Sequence, residues 1–404
     1  RVVMDSANPF ISVLGLSLVL SGIWILLMQH FTSLVVYAMI STLPVCFGAV
    51  SIWALIEILR GSNSWIGSFY LYTIIGISGS TAAILASIIK SKQKTVNSTI
   101  AIAKTSSQVL ASNLSIFTIS FALLVGYVAF LAVWLFLFAH LLLLGSVESL
   151  SSAGSSNFYL SKWSYWLQFG FLLGLVWTSS NLANLQKAFV SEVVSKWYFE
   201  KQSGSDAFAV LAKVYSSYSG QICFGGLIIS FVRSLRFSFQ LFRKVEATIR
   251  NTWIQKGFSG VDSIVQIIER LLDHITGFTI YYVPLSGESF CKSGRTVLRL
   301  LKRNALLGFT TDSVSKLIFN GSVLIVSSAA GLSSYAWACH SLHSPYGWFT
   351  GVLYGCLAWC ILKMFSGIYS TTMDVTFLCY AIDLDTDKIT EPLIHQAFVE
   401  YETE

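Results

Sequence analysis

The chain is a succession of apolar runs, each roughly twenty residues or longer and almost free of charge. They cover Pro9–Met28, Leu34–Ile56, Trp65–Ile89, Ser115–Leu144, Tyr165–Leu185, Leu307–Trp337 and Trp348–Tyr380. A helix needs about 20 apolar residues to cross the hydrocarbon core of a bilayer, whereas a soluble surface helix keeps a polar face. In lipid every backbone group must be bonded internally, which leaves helices or a closed barrel. The runs are continuous rather than alternating, and this selects helices. The expected fold is all-α, a polytopic transmembrane helical bundle.

The polar segments punctuate that pattern. Met28–Leu34 is tight enough to make the first two runs an antiparallel hairpin, and Arg60–Ser64 is another short turn. Pro44 is expected to kink the second run. Val96–Leu110 is polar but compatible with a helix, and reads as an extension of the next span into water. Basic residues gather at Lys90, Lys92, Lys94 and Lys104, and again at Lys187, Lys196, Lys201 and Lys213. Two denser clusters follow: Arg233, Arg236, Arg243, Lys244, Arg250 and Lys256, then Lys292, Arg295, Arg299, Lys302 and Arg303. Lys and Arg beside spans mark the cytoplasmic side. Gly145–Ser164, rich in Ser and Gly, and Ser341–Gly347, without Lys or Arg, read as outside loops. The tail, 386–404, reads as cytosolic.

One region resists this scheme. If Ala207–Val232 crosses once, the cluster Arg233–Lys256 lands outside, against the charge rule. Either the chain re-enters near Ile222, or Val245–Leu272 lies along the membrane surface. Ile264, Ile267, Ile268, Leu271 and Leu272 recur at helical spacing among Asp262, Glu269 and Arg270. Residues 241–272 therefore read as an amphipathic interfacial or cytosolic segment within a single transmembrane domain, 1–385. The topology of 207–285 stays open at this level. Ile275–Leu285 is too short to span alone and ends in Pro284-Leu-Ser-Gly287-Glu288, a break of the kind that transporters place at a binding site. The alternative is a span that begins further upstream, through Leu271.

Composition agrees with the hydropathy pattern: 54% of residues are hydrophobic and 11% charged, against about 25% charged in soluble domains. The net charge of +6 sits between the spans, where it is a topology signal rather than a nucleic-acid footprint, so no nucleic-acid partner is expected. Membrane lipids are the implied surroundings. No signal peptide is visible, and Arg1 in place of Met implies a natural start further upstream. Cys46, Cys223, Cys291, Cys339, Cys356, Cys360 and Cys379 fall mostly in apolar runs, where cysteine packs as a small hydrophobe. They have no His or carboxylate at ligand spacing, so neither a metal nor a disulfide framework is expected. Asn97-Ser-Thr and Asn113-Leu-Ser match the glycosylation pattern but fall in predicted cytosol or membrane.

Candidate chemistry lies in the polar groups of the spans, since ionisable residues there are costly and mark function by default. Lys363 and Asp374 sit in the last run, Asp312 and Lys316 at the start of the one before it. Asp312 and Lys316 are spaced for an ion pair; Asp374 could cap a helix end or orient a ligand. Asn181, Asn184 and Gln186 form an amide stripe after Trp177, either glue between helices or a lining for substrate. Aromatics make up 14% of the chain. Trp65, Trp163, Trp166 and Trp348 stand at run ends as an interfacial belt would. Tyr127, Trp134 and Trp177 lie mid-run, and Tyr281 and Tyr282 in the short apolar piece. Aromatic faces attract a cation that cannot donate hydrogen bonds, although mid-span rings also serve plain packing.

Four stretches carry a resemblance. They are Asn184–Phe199 (NLQKAFVSEVVSKWYF), Gly220–Arg236 (GQICFGGLIISFVRSLR), Tyr281–Arg295 (YYVPLSGESFCKSGR) and Met373–Asp385 (MDVTFLCYAIDLD). In order and spacing they resemble the choline transporter-like family, solute carrier family forty-four, and its fungal branch in particular. The family-like positions are Gly220, Cys223, Phe224, Gly225, Gly287, Phe290 and Arg295. Gln221 and Gly226 stand where the family has serines, Gly294 where alanine is common, and Pro284, Leu285 and Val375 interrupt its patterns. The resemblance implies ten spans with both ends cytosolic. About nine would lie in this chain, with one before Arg1, and the membrane would be the plasma membrane or an endomembrane.

Two functions follow as expectations. The first is a carrier or facilitator of choline or a related amine, working by alternating access around the broken element. Trp177, Asn181, Tyr281, Tyr282 and Asp374 would line its site, the rings holding the cation and the amide or carboxylate orienting a hydroxyl. The second is a transport-inactive scaffold or trafficking partner that binds another membrane protein, suggested by the departures from the family pattern and the broad basic surface. An enzyme is not expected. None of the six His stands with Ser, Cys or Asp at catalytic spacing, His340 and His343 read as exposed in an outside loop, and no Gly-rich phosphate loop or other cofactor motif is present.

Overall fold

A computed structural model describes residues 30–59, 65–91, 93–143, 145–149, 156–160, 162–202, 206–246, 274–303, 305–340 and 347–392, with single residues at 23, 204, 272 and 394. The described chain is almost entirely helical. In order the helices are α1 (Thr32–Leu59), α2 (Trp65–Ser91), α3 (Gln93–Ser112), α4 (Ser115–Leu142), α5 (Lys162–Glu200) and α6 (Ala207–Glu246). A short helix α7, residues 274–286, follows. After it come α8 (Phe290–Arg303), α9 (Ala305–His340) and α10 (Gly347–Thr386). The first apolar run, Pro9–Met28, apart from residue 23, lies outside the described residues, as do 247–271 of the amphipathic segment 241–272 and 341–346 of the loop Ser341–Gly347. So do the side chains of Asp312 and Lys316.

The chain that reads as one domain contains two compact units. One joins residues 1–112 to 304–404, and the other is 113–303. In the first, α9 and α10 form a close antiparallel pair, α1 packs on α2, and α3 packs on α10 and α9. α1 runs through Pro44 as one helix. Ser51 Oγ and Ser78 Oγ, 2.6 Å apart, join α1 to α2.

α3 departs from the expected water-exposed extension of α4. It is a separate helix that ends before the Asn113–Leu114 turn, at the boundary between the units. Thr99, Thr105, Ser106 and Ser107 are buried along it together with Ile102, Val109 and Leu110. Burial is tolerable because the hydroxyls find partners. Thr105 Oγ1 donates to Ala101 O at 3.2 Å, Ser107 Oγ to Lys104 O at 2.8 Å, and Ser106 Oγ to Thr376 Oγ1 on α10 at 3.4 Å. Tyr369 on α10 returns its hydroxyl to Ala103 O at 2.6 Å. Small polar residues thus make α3 a filler between apolar helices. Asn97 is exposed and its Oδ1 accepts the Tyr37 hydroxyl at 2.7 Å, whereas Asn113 is only 2% exposed and its Oδ1 accepts Gly204 N at 3.1 Å, so the second sequon is buried.

In the second unit α4 packs on α5, and α5 on α6. Two mid-run aromatics serve this packing. Tyr127 Oη lies 3.1 Å from Ser179 Oγ, and the Trp134 indole donates to Phe171 O at 3.3 Å while stacking on Phe138 at 4.8 Å. The outward side of α4 is bare hydrocarbon: Val128 is 59% exposed and Phe136 63%. Soluble proteins rarely expose an apolar surface on this scale. Trp163, Trp166 and Trp348 are likewise exposed at the starts of α5 and α10, as belt residues would be. Among the described residues, α4 and α10 are the helices long and apolar enough throughout to cross a membrane.

The segment from Gly145 differs from the expected plain loop. Gly145–Ser149 and Ser156–Leu160 form an antiparallel hairpin, β1 and β2, in the register Gly145↔Leu160 to Ser149↔Ser156. Val147, Phe158 and Tyr159 favour extended backbone, which explains strands within a Ser- and Gly-rich stretch. The re-entrant turn near Ile222 is absent as well. α6 is one helix of 40 residues, about 60 Å long at 1.5 Å per residue and twice the thickness of a hydrocarbon core. Its basic end therefore lies far from its apolar middle. The tail begins folded: Asp383, 1% exposed, accepts Thr390 N at 3.0 Å and Thr390 Oγ1 at 2.8 Å, closing the end of α10.

Candidate functional site

The site grows from the antiparallel pair α5 and α6. Near the α5 C-terminus, Lys213 Nζ lies 2.7 Å from Glu192 Oε1. Further along, Ser230 Oγ donates to Ser180 Oγ at 3.2 Å and the Trp177 indole to Cys223 O at 3.3 Å. Between these contacts Asn181 lies directly on the backbone of Gly226, where any Cβ would collide with Asn181 Oδ1. The Glu192–Lys213 and Asn181–Gly226 contacts bracket Asn184 and place it level with Gln221 and Ile222.

Three amide atoms in this stretch have no protein partner: Asn181 Oδ1, Asn184 Nδ2 and Gln221 Oε1. Asn184 is only 3% exposed. A buried polar atom left unsatisfied costs about 1–3 kcal/mol, and buried polar groups are normally paired. Two acceptors and one donor at nearly one level of a helix pair can hold a small polar molecule that brings its own O–H or N–H and an acceptor. Trp177, 39% exposed and one turn from Asn181, supplies an aromatic face beside them.

The short helix and its successor close around the same pair. Ser191 Oγ donates to Tyr281 O at 2.6 Å, tying α7 to α5. Gly287 N bonds Val283 O at 2.9 Å, and Gly287 takes φ +67°, so α7 ends in a left-handed residue where glycine avoids a Cβ penalty. α8 then folds back, with Gly294 against Thr279 and the Phe290 ring seated on Gly225, where a Cβ would come within 2.9 Å of Cε2. Phe290 also meets Phe224 edge-on, with centroids 5.6 Å apart. Three sequence stretches that are far apart in the chain, Asn184–Phe199, Gly220–Arg236 and Tyr281–Arg295, thus meet in one place.

The named candidates do not all converge. Trp177 and Asn181 are neighbours. Tyr281 is 5% exposed, its ring edge-on to Phe278 at 5.6 Å, and it joins α5 at Ser191, about 21 Å along the helix axis from Trp177 at 1.5 Å per residue. Tyr282 is half-buried, its carbonyl accepting Ser286 Oγ at 3.1 Å. Asp374 is half-buried on α10 in the other unit, where Lys363 reaches Asn320 Oδ1. Of the family-like positions, Cys223, Phe224, Gly225 and Phe290 build the junction and Gly287 ends α7. Gly220 faces open space and Arg295 is exposed. Sequence reasoning missed Glu192, a carboxylate inside an otherwise apolar and serine-rich stretch, whose spacing to Lys196 was the available signal. It noted Gln221 only as a departure; a large amide in place of a small hydroxyl was the clue.

The Asn181–Gly226 contact accounts for one departure, because glycine at 226 makes room for the amide. Gly226→Ser alone should force Asn181 from its position and lower the melting temperature of the purified protein. The overpacking corresponds to about 1–3 kcal/mol. Asn181→Ala combined with Gly226→Ser should restore most of the loss. Equal melting of the single and double variants would show that the two positions are not coupled.

The comparisons with known proteins agree on one family. The profile of the family described as plasma-membrane choline transporter matches residues 76–385. A CTL-like protein of Dictyostelium discoideum is 24% identical over 396 residues, covering 92% of this chain and 70% of that protein. Choline transporter-like 2 of Drosophila melanogaster is 22% identical over 227 residues, 54% of this chain and 28% of that protein. The protein PNS1 of Eremothecium gossypii is 22% identical over 164 residues, 39% of this chain and 30% of that protein. The chain thus spans about a third or less of the insect and fungal relatives it matches. With the matched segment covering the α5–α8 junction and parts of both units, this chain is an integral, multi-pass membrane protein that belongs to the choline transporter-like family.

Proposed function

We propose that this chain carries choline or a related amine across the membrane, binding it at the amide stretch of α5 and α6. The observation that carries this reading is the set of unsatisfied amides beside Trp177. The Trp177 face attracts the ammonium group, since a ring quadrupole binds a cation that cannot donate hydrogen bonds. Asn181 Oδ1 or Gln221 Oε1 accepts the hydroxyl proton, and Asn184 Nδ2 donates to the hydroxyl oxygen. About nine spans in this chain, with its C-terminal tail in the cytosol, and residence in the plasma membrane complete the reading. Alternating access proceeds by rocking around α7, whose end at Gly287 breaks the helix between α6 and α8. No bond is made or broken in this cycle, so the protein is a carrier and not an enzyme.

Vesicles containing the purified full-length protein test this with radiolabelled choline. Saturable uptake above empty vesicles is expected, and Trp177→Ala should raise KM about tenfold, as loss of a desolvated cation–π contact implies. Uptake no greater than in empty vesicles would overturn the carrier reading and favour a scaffold that binds another membrane protein. Saturable uptake that Trp177→Ala leaves unchanged would place the cation elsewhere.

A further inference from the structure

α8 has the composition of neither a span nor a core helix. Phe290–Arg303 carries Lys292, Arg295, Arg299, Lys302 and Arg303 and no acidic residue. Folded back on α7, it buries Ser293, Val297 and Leu300 on one side. Lys292, Arg295, Arg299 and Lys302 follow at intervals of three and four, so they form a single stripe, and all four are exposed. Glu288 holds Lys292 at 2.7 Å. Among the described residues, Arg295, Arg299 and Lys302 have no acidic partner. Cys291 and Leu298 lie seven residues apart along the flank of the stripe, and both are exposed, Leu298 at 39%.

We propose that this stripe is a binding site for the anionic headgroups of phospholipids in the leaflet that α8 faces. Three observations support it together. The protein is membrane-integral, so a lipid surface is always within reach of a helix directly attached to α7. The stripe offers three uncompensated cations in a row, and a basic segment beside a membrane attracts anionic lipid at about 1 kcal/mol per Lys or Arg. The apolar flank at Cys291 and Leu298 lets the helix lie at the headgroup–acyl boundary rather than stand off in water. Leu298 and Cys291 give the helix an apolar edge that a lipid surface can cover. Acidic protein partners would satisfy the charges but not the apolar flank. Guanidinium groups at Arg295 and Arg299 can hold phosphate oxygens in bidentate fashion, while Lys302 acts as a point charge.

Native mass spectrometry of the detergent-purified full chain reads this directly, with phosphatidylserine titrated in one arm and phosphatidylcholine in the other. Wild-type protein should retain phosphatidylserine at about tenfold lower concentration than phosphatidylcholine. Arg299→Gln should weaken phosphatidylserine retention about fivefold and Arg299→Gln/Lys302→Gln about twenty-five-fold, with phosphatidylcholine unaffected. Inorganic phosphate at matched concentration should not displace the lipid, since it lacks the acyl chains that meet Leu298. Equal retention of the two lipids, retention unchanged in the double variant, or ready displacement by phosphate would each overturn the proposal. All substituted side chains are exposed, so the variants should melt with wild type. If the double variant melts early, the single variant's fivefold effect decides.

Discussion

Gly351→Leu is expected to unfold the α9–α10 pair. Gly347, Gly351 and Gly355 recur every fourth residue on α10, and the middle one is the tightest point of the contact. A Cβ at Gly351 would lie 2.9 Å from Tyr335 Cβ and 3.0 Å from Gly331 O. Neither atom is the far end of a flexible side chain, so the helices themselves must separate. Gly331 faces the same constraint from the other side, at 3.1 Å from Gly351 O. Helices in lipid associate through close packing of small residues rather than through a hydrophobic drive, so moving the backbones apart removes the main attraction. Even Gly351→Ala should cost about 3 kcal/mol, the upper part of the overpacking range, and leucine more. Gly367 on the same helix is an internal control, because a Cβ there meets nothing within 4 Å. Gly367→Ala should stabilise by about 1 kcal/mol through helix propensity. Thermal unfolding of the solubilised variants measures both; a Gly351→Ala protein that melts with wild type would refute the close-packing account.

Lys213→Met is expected to cost far more than Glu192→Gln, although the two break the same ion pair. The Glu192 side chain is only 4% exposed and the Lys213 side chain 51%. Without Lys213 the carboxylate stays buried, with Lys196 Nζ at 3.7 Å as its remaining partner. A buried charge left with only this longer contact costs about 3 kcal/mol. Without the carboxylate, by contrast, the Lys213 ammonium relaxes into solvent, and the loss is about 1 kcal/mol, as for an exposed pair. Lys213→Met/Glu192→Gln should therefore be more stable than Lys213→Met alone. Melting temperature and the yield of membrane-inserted protein report the order. Equal losses in the two single variants would mean that the pair is solvated on both sides.

Much of the architecture was legible beforehand. The runs Leu34–Ile56, Trp65–Ile89, Ser115–Leu144, Leu307–Trp337 and Trp348–Tyr380 each correspond to a helix with ends within a few residues, because hydropathy acts along the chain and needs no partner. The tight Gly287 break and the basic helix after it were legible for a similar reason, since a left-handed residue and a charge-dense segment are local features. The extent of α5 and α6 was not. Both continue well past their apolar parts, since a helix whose polar end pairs Glu192 with Lys213 has no need to stop where the hydrophobicity does. The burial of α3 was hidden too, because serine and threonine look the same in sequence whether they face water or α10.

The candidate site divides along the same line. Trp177, Asn181 and the glycines of Gly220–Arg236 could be named from composition and resemblance, since an amide or ring in an apolar run stands out without knowledge of its neighbours. Their grouping could not. That Asn181 meets Gly226, that Phe290 occupies the space over Gly225, and that Tyr281 joins α5 a long way from Trp177 depend on how α5, α6, α7 and α8 align. The sequence by itself determined that the chain lives in a bilayer as helices, because lipid leaves its backbone no other way to bond. Only the tertiary structure decided which polar atoms are left unsatisfied. Satisfaction is a property of pairs, and the pairs are made between helices that the sequence keeps apart.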